Sequence, residues 1–398
     1  MNNYIFKIII FLINPFLSAV YSILHIKEKG SLPIIYCWFL IFGIGFCAVG
    51  ESMDSYVYVE KFYYECQYTW SRYLYELKEW ATFRSDIKDI YRFSVNYFVG
   101  TFSRNYHWTF LIYAAVLGWF YIKSLKIFVQ ININKKLIFL ILLFMFCISN
   151  PIFNINGARF WTSAWIGVYT VLKVFVEHKN NYLFLLLLMP LIHGSSVIWA
   201  ILVLISFFTY RFQYVWIVLF ILSSFVSAVS YLDVLNDYSY ILPQFLQNQV
   251  ETYALSEDAL AQMQDEVHVS IYTKILKPLP PYFHLVLTYL LIINRKSINM
   301  NSDRKYLFSA YLALIAMTNF LSAIPSVWRL QYLIVPILVI VWAQNYGYLV
   351  RYNRLFYFIP IIYFFSLFQW YNRMATVTEL YLYIMPAPLT VLKYLVFI

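Results

Sequence analysis

The sequence predicts an all-α polytopic integral membrane protein, and three observations carry that prediction. Of the 398 residues, 62% are hydrophobic and only 12% are charged, where a soluble protein has about a quarter of its residues charged. The apolar residues come in runs of spanning length, judged against the ~20 residues a helix needs to cross a bilayer. Almost all of the few charges sit at the ends of those runs, and several gather on one side.

Apolar segments occupy 4–24, 31–49, 106–122, 137–153, 158–176, 181–210, 214–232, 278–294, 306–324, 328–345 and 355–371. The first has no small-residue cleavage site behind it, so it reads as a retained helix, with Lys7 reaching the near surface. Between the second and third runs lies 50–105, with eight acids, six basic residues up to Arg92 and aromatics throughout. That mixture suits amphipathic helices lying on the outer leaflet, an external interfacial segment. The connection 123–136 holds Lys123, Lys126, Lys135 and Lys136 and no acid, so it belongs in the cytoplasm, as do 295–305 and the turn with Arg351 and Arg354. Residues 233–273 carry seven acids and no Lys or Arg, which makes that loop external.

These sides conflict if 181–210 crosses once. They agree if the stretch forms two short helices turning near Pro190 to Gly194, since breakers at membrane depth are tolerated where protein covers the freed backbone. About twelve crossings result. Residues 380–398 are long enough to span, but they carry Pro386 and Pro388, which favour a bent, surface-lying segment; both readings stay open. With no internal repeat and no low-complexity linker, the chain reads as a single polytopic domain, 1–398.

The net charge of +10 comes from 29 Lys and Arg against 19 Asp and Glu. The basic residues form no stripe, so nucleic acid is discounted as a partner and inner-side loops account for the excess. Four cysteines without CxxC spacing indicate neither a disulfide framework nor a thiolate metal site. No GxxxxGK[ST], HExxH or GxSxG sequence occurs, which leaves ATP-driven transport, zinc hydrolysis and an elbow serine without their parts. No cofactor and no metal are expected.

Topology brings four polar positions to the outer side. Asp54 follows the second span, Arg159 opens the fifth, His193 lies at the proposed turn beside Ser195 and Ser196, and Arg329 opens a later span. Both arginines can be read as snorkelling to outer headgroups, His193 as a helix-packing donor and Asp54 as a helix cap. Against that, arginine is disfavoured on the outer side, and ionisable groups at membrane depth are functional by default. Forked guanidiniums suit a diphosphate, and a histidine or carboxylate can accept a proton from an attacking hydroxyl. Arg104, Lys274, Lys277 and Tyr332 are accessory candidates, and His25, His107, His178 and His268 read as interfacial or loop histidines.

At these residues the chain resembles the EpsG-like branch of the Wzy polysaccharide polymerases. Gly50, Asp54 and Tyr58 match the family's Gly…Asp…Tyr element after the second span, and Arg159 its arginine at the start of a middle span. His193-Gly-Ser-Ser-Val-Ile198 matches its His-x-Ser-aliphatic turn, and Arg329 with Tyr332 its late arginine and aromatic. The arginine that often precedes the glycine is missing from Phe46-Cys-Ala-Val-Gly50. The resemblance implies a C-type membrane glycosyltransferase that joins undecaprenyl-diphosphate-linked repeat units, of O-antigen or capsule type, on the outer face of the bacterial cytoplasmic membrane. On this reading Arg159 and Arg329 are expected to hold the diphosphate and His193 to be the general base, with Asp54 its rival. The lipid bilayer and a chain-length regulator protein complete the expected partners. A repeat-unit flippase and another lipid-dependent transferase or ligase stay open as alternatives.

Overall fold

Asn14 and Pro15 break the first apolar run. Asn14 accepts the Leu17 N–H at 2.9 Å, and Pro15 takes the first helical position, where a missing donor costs nothing. The computed structural model describes residues 3–47, 53–82, 84, 85, 87, 89–225, 279–321 and 329–396. In it α1 (Asn3–Ile13) and α2 (Pro15–Leu24) run antiparallel. Ser18 Oγ donates to the Lys7 carbonyl at 2.8 Å, and Tyr21 OH donates to Asn3 Oδ1 at 3.1 Å. The single span expected over 4–24 is therefore corrected to a short hairpin. Neither arm crosses alone, because the eleven residues of α1 rise only ~16 Å against a ~30 Å hydrocarbon core. Lys7 does not run to the surface. It is fully buried, and its ammonium is held by Glu28 and Ser31, each at 2.9 Å.

The chain continues through α3 (Ser31–Ile44), α4 (Asp54–Glu65), α5 (Trp70–Ala81), α6 (Ile90–Gly100), α7 (His107–Val129), α8 (Lys136–Ile148) and α9 (Ala158–Phe175). After these come α10 (Val197–Thr209), α11 (Gln213–Ser223), α12 (Leu279–Ile293), α13 (Ser302–Leu321), α14 (Arg329–Leu349) and α15 (Phe364–Val377). Among the described residues there is no strand, only an isolated bridge between Phe46 and Thr378. Three helical stretches are long and apolar enough to cross a membrane: His107–Val129, Lys136–Phe175 and Arg329–Phe356. The second joins two runs that hydropathy separates, through the 3-10 helix Ile152–Gly157. α13 is 20 residues long, while Asn3–Ile13, Pro15–Leu24, Ser31–Ile44, Gln213–Ser223 and Leu279–Ile293 are shorter apolar helices of 10–17 residues. The acidic loop 233–273 lies outside the described residues.

The chain divides into two compact units. The first comprises Met1–Asn132, Pro151–Ala200 and Gln369–Ile398. Its centre is α3 against α7, brought close by glycine: a Cβ on Gly43 would stand 2.4 Å from Ala114 Cβ and 2.7 Å from the Phe110 carbonyl. Small residues at such crossings let helix backbones approach, which is how helices associate where no hydrophobic force separates them from lipid. α7 in turn packs on α9, with Tyr121 edge-on to Trp165 at 4.6 Å. Within 50–105, only α5 has no buried residue. α4 and α6 are joined by a buried ion pair, Arg92 to Glu65 at 2.7 Å, with Asn96 donating to the same carboxylate oxygen at 2.7 Å. His107, expected at an interface, is buried at the first turn of α7 between Tyr106 and Tyr394.

The second unit comprises Ile133–Asn150 and Ile201–Phe368. α13 lies at its centre, with Leu307, Phe308, Tyr311 and Leu314 fully buried. Gln213 at the head of α11 donates to Ser309 on α13 at 3.0 Å, fixing the two helices in register.

Candidate functional site

The 3-10 turn Ile152–Gly157 gathers the first part of a polar cluster in the first unit. Asn156 in that turn accepts the backbone N–H of Ser55 at 3.3 Å, pinning the start of α4 beside the start of α9. Tyr58 is one turn into α4 and Arg159 is the second residue of α9. Arg159 Nε donates to the buried Tyr58 hydroxyl at 3.0 Å. Burial pushes the Tyr58 phenol up to about 12 although the Arg159 charge opposes it, so it is a neutral hydrogen-bonding group at physiological pH. Asp54, exposed at the first position of α4, is near enough for its charge to act on Arg159. Its carboxylate has no hydrogen-bond partner among the described residues.

The second part comes from an interrupted helix. A 3-10 helix, Asn180–Leu187, and the short helix Met189–Ile192 run back along α9, placing Tyr182 edge-on to Tyr169. His193 then adopts an extended backbone, φ −153° and ψ 117°, and the chain reverses. On the return limb Ser196 meets Ser163 at 2.6 Å, and Trp199 lies so close to Gly167 that a Cβ there would stand 2.2 Å from the indole nitrogen. The reversal expected at Pro190 to Gly194 is thus present, with His193 at its tip. Side chains tie the turn to α9: the Ser163 and Ser196 hydroxyls lie 3.1 and 2.9 Å from the Met189 carbonyl, which also accepts the His193 N–H at 3.0 Å.

Asp89 joins the two parts. It stands at the N-cap position of α6, yet its carboxylate makes no cap hydrogen bond. Instead it accepts from the Arg159 guanidinium, from the Gly194 backbone N–H at 2.9 Å, and it lies 3.5 Å from His193 Nδ1. The Asp89 side chain is only 2% exposed. Burial alone would raise its carboxyl, but His193, Arg159 and the Gly194 N–H together outweigh that and hold it below the usual carboxylate range. Among the described residues two of the five N–H donors of Arg159 are engaged, and the others could meet an anion. The Nε2 of His193 has no hydrogen-bond partner among the described residues.

Of the residues selected from sequence, Asp54, Arg159 and His193 are brought together. Arg104 is not part of this cluster; it donates to the Cys66 carbonyl at the end of α4. Arg329 and Tyr332 belong to the second unit, on the first turn of α14, with Tyr332 near Tyr363 and Tyr363 in turn hydrogen-bonded to His284. Lys274 and Lys277 lie outside the described residues. Sequence reasoning missed Asp89 altogether and left Tyr58 as a motif position without a partner. Among the described residues no group of three or more His, Cys, Asp or Glu side chains is arranged to hold a metal ion.

The profile of the EpsG family matches residues 31–385, nearly the whole chain. The chain belongs to the EpsG family. No curated protein and no solved structure matches it. The EpsG match contains every residue of the Asp89 cluster and begins after the α1–α2 hairpin. Membership and the apolar helices together make this a membrane protein, and EpsG membership points to a polysaccharide-polymerase-type role.

Proposed function

We propose that this protein is a polysaccharide polymerase that joins lipid-diphosphate-linked oligosaccharide repeats at the outer face of the cytoplasmic membrane. The observation that carries the reading is one buried carboxylate, Asp89, holding both a forked cation and an imidazole at the tip of a membrane hairpin. In the reaction a hydroxyl of the incoming repeat attacks the anomeric carbon of the growing glycan. The new glycosidic C–O bond forms as the bond to the lipid diphosphate breaks, and the diphosphate leaves with the electron pair. Arg159 stabilises the charge that develops on that leaving group. His193 Nε2 takes the hydroxyl proton, while Asp89 at Nδ1 sets the tautomer and supports the imidazolium that forms. Asp54 is the alternative acceptor, and in that case His193 orients the hydroxyl.

Glycan banding on a gel tests the reading. A strain lacking the gene should carry single repeats only, whereas absence of any surface repeat would identify a flippase. Restoring the gene with His193→Ala should leave lipid-linked repeats to accumulate unjoined, a loss of about 100-fold or more. His193→Gln keeps a hydrogen bond but cannot take up the proton; near-normal chains from it would transfer the base to Asp54. Arg159→Lys keeps the charge without the fork and should lose about 100-fold. Cysteines at Asn134 and Glu257 should label from opposite sides of intact membranes; same-side labelling would remove the outward orientation.

A further inference from the structure

We infer that Trp161 is the residue on which a sugar ring of the incoming repeat stacks, with Asp54 accepting hydrogen bonds from that sugar's hydroxyls. The inference rests on the proposed function and names a binding surface within the same site. Trp161 is half-buried in the first turn of α9, two residues after Arg159. Gly157 seats it: a Cβ there would stand 3.3 and 3.5 Å from Cδ1 and Nε1 of the indole and 3.6 Å from Asp54 Oδ2. One edge of the indole therefore rests on the glycine, with the carboxylate beside it. Buried Phe160 stands nearly at right angles to Trp161, with ring centres 5.1 Å apart. The same ring stands nearly at right angles to His193, at 5.8 Å. One buried phenyl thus keys the proposed base and the indole to each other, close enough for a single acceptor to meet both.

An indole near a membrane surface is what an aromatic belt produces, and by itself it specifies no ligand. The carboxylate beside it is what specifies one. Asp54 is exposed, and neither its oxygens nor the indole N–H has a hydrogen-bond partner among the described residues. A lipid tail laid on the indole would press an unpaired charge against hydrocarbon. The lipid diphosphate would meet Asp54 as a like charge. A pyranose suits both groups, because its C–H face lies on the electron-rich face of the indole while its hydroxyls donate to the carboxylate. The acceptor sugar is also the partner that must bring a hydroxyl to His193, whereas the diphosphate is drawn to the fork of Arg159.

The probe is the repeat-unit oligosaccharide freed by mild acid from the host's lipid-linked repeats, titrated against the full-length protein in detergent by saturation-transfer NMR. Wild type should bind it, with transfer strongest to the protons of one sugar ring. Trp161→Ala should weaken binding about 3–10-fold, and Trp161→Phe, which keeps a flat face, should recover most of it. Trp161→Leu keeps apolar bulk without the face and should bind as poorly as the alanine variant. Asp54→Asn should weaken binding about tenfold and raise the KM for lipid-linked repeats, with kcat within about threefold of wild type. Thermal melting of each variant checks that it is folded. No binding by wild type, equal binding by all three Trp161 variants, or a leucine variant as good as phenylalanine would each overturn the inference; the last would make the indole a membrane anchor. So would unchanged binding with a collapsed kcat in Asp54→Asn, which would make Asp54 the base. Variants that bind like wild type leave the proposed function standing as long as the deletion strain carries single repeats. Long chains in that strain would remove the function whatever the variants bind.

Discussion

Asp89 accepts the backbone N–H of Gly194 at 2.9 Å, closing a loop of 105 residues on a single hydrogen bond. The same carboxylate holds Arg159, so one buried acid couples the start of α6, the start of α9 and the tip of the hairpin. If catalysis takes place here, Asp89 acts through its neighbours as a positioning residue.

Asp89→Asn keeps the shape and removes the charge. It leaves the Arg159 cation partly buried without its counter-ion, so the expected loss of stability is about 3–5 kcal/mol, the range for breaking one side of a buried pair. The measurement is thermal melting of the purified protein. Chain elongation should fall further than melting explains, because His193 loses the group that orients it. A variant with full activity and only lowered stability would make Asp89 purely structural.

The pH dependence follows from the direction of the Asp89 shift. A carboxyl held below its ordinary value of ~3.9 contributes stability that is complete above that value and is lost as pH falls through the lower, folded-state value. The melting difference between wild type and Asp89→Asn should therefore stay constant from neutral pH to about 5 and close only under more acidic conditions. A difference that already closes between pH 7 and 5 would point to another group.

Tyr58→Phe removes the acceptor of Arg159 Nε and nothing else. One net hydrogen bond is worth ~1 kcal/mol, so elongation should slow by roughly 2–10-fold with the protein still folded. Because the phenol is neutral up to about 12, the wild-type activity profile should show no inflection from Tyr58 anywhere in the accessible pH range.

Gly167→Ala tests the hairpin. In an exposed helix that exchange gains ~1 kcal/mol, but here the new methyl meets the buried Trp199 indole. The ring has no room to yield, and the expected result is a loss of about 1–3 kcal/mol, as for overpacked cores. A melting temperature equal to or above that of wild type would show that the return limb is not seated on α9.

Arg159, His193 and Asp54 were legible in the sequence because an apolar background makes an ionisable group conspicuous. Asp89 had no such background. It lies in a mixed stretch beside Arg84, Asp86 and Lys88, where one more acid carries no signal, and its N-cap position offers a sufficient local explanation. Its role depends on contacts 70 and 105 residues away, which no local pattern encodes. The reversal at His193 could be anticipated because charge parity demanded it and Pro190 and Gly194 permitted it. The break at Asn14 was equally written, as an Asn-Pro pair, but hydropathy averaged it away. No parity argument called for a turn there.

That break has a consequence for how the chain is made. Among the described residues Lys7 finds its counter-ion at Glu28 and its hydroxyl partner at Ser31. When α1 leaves the ribosome those residues are still inside the exit tunnel, and a lone ammonium is expelled from lipid. The N-terminal arm must wait at the membrane surface until its partners emerge, then enter folded on α2 with its charge already neutralised. The α1–α2 hairpin thus enters as a preassembled pair, with Lys7 carried in by the residues that neutralise it.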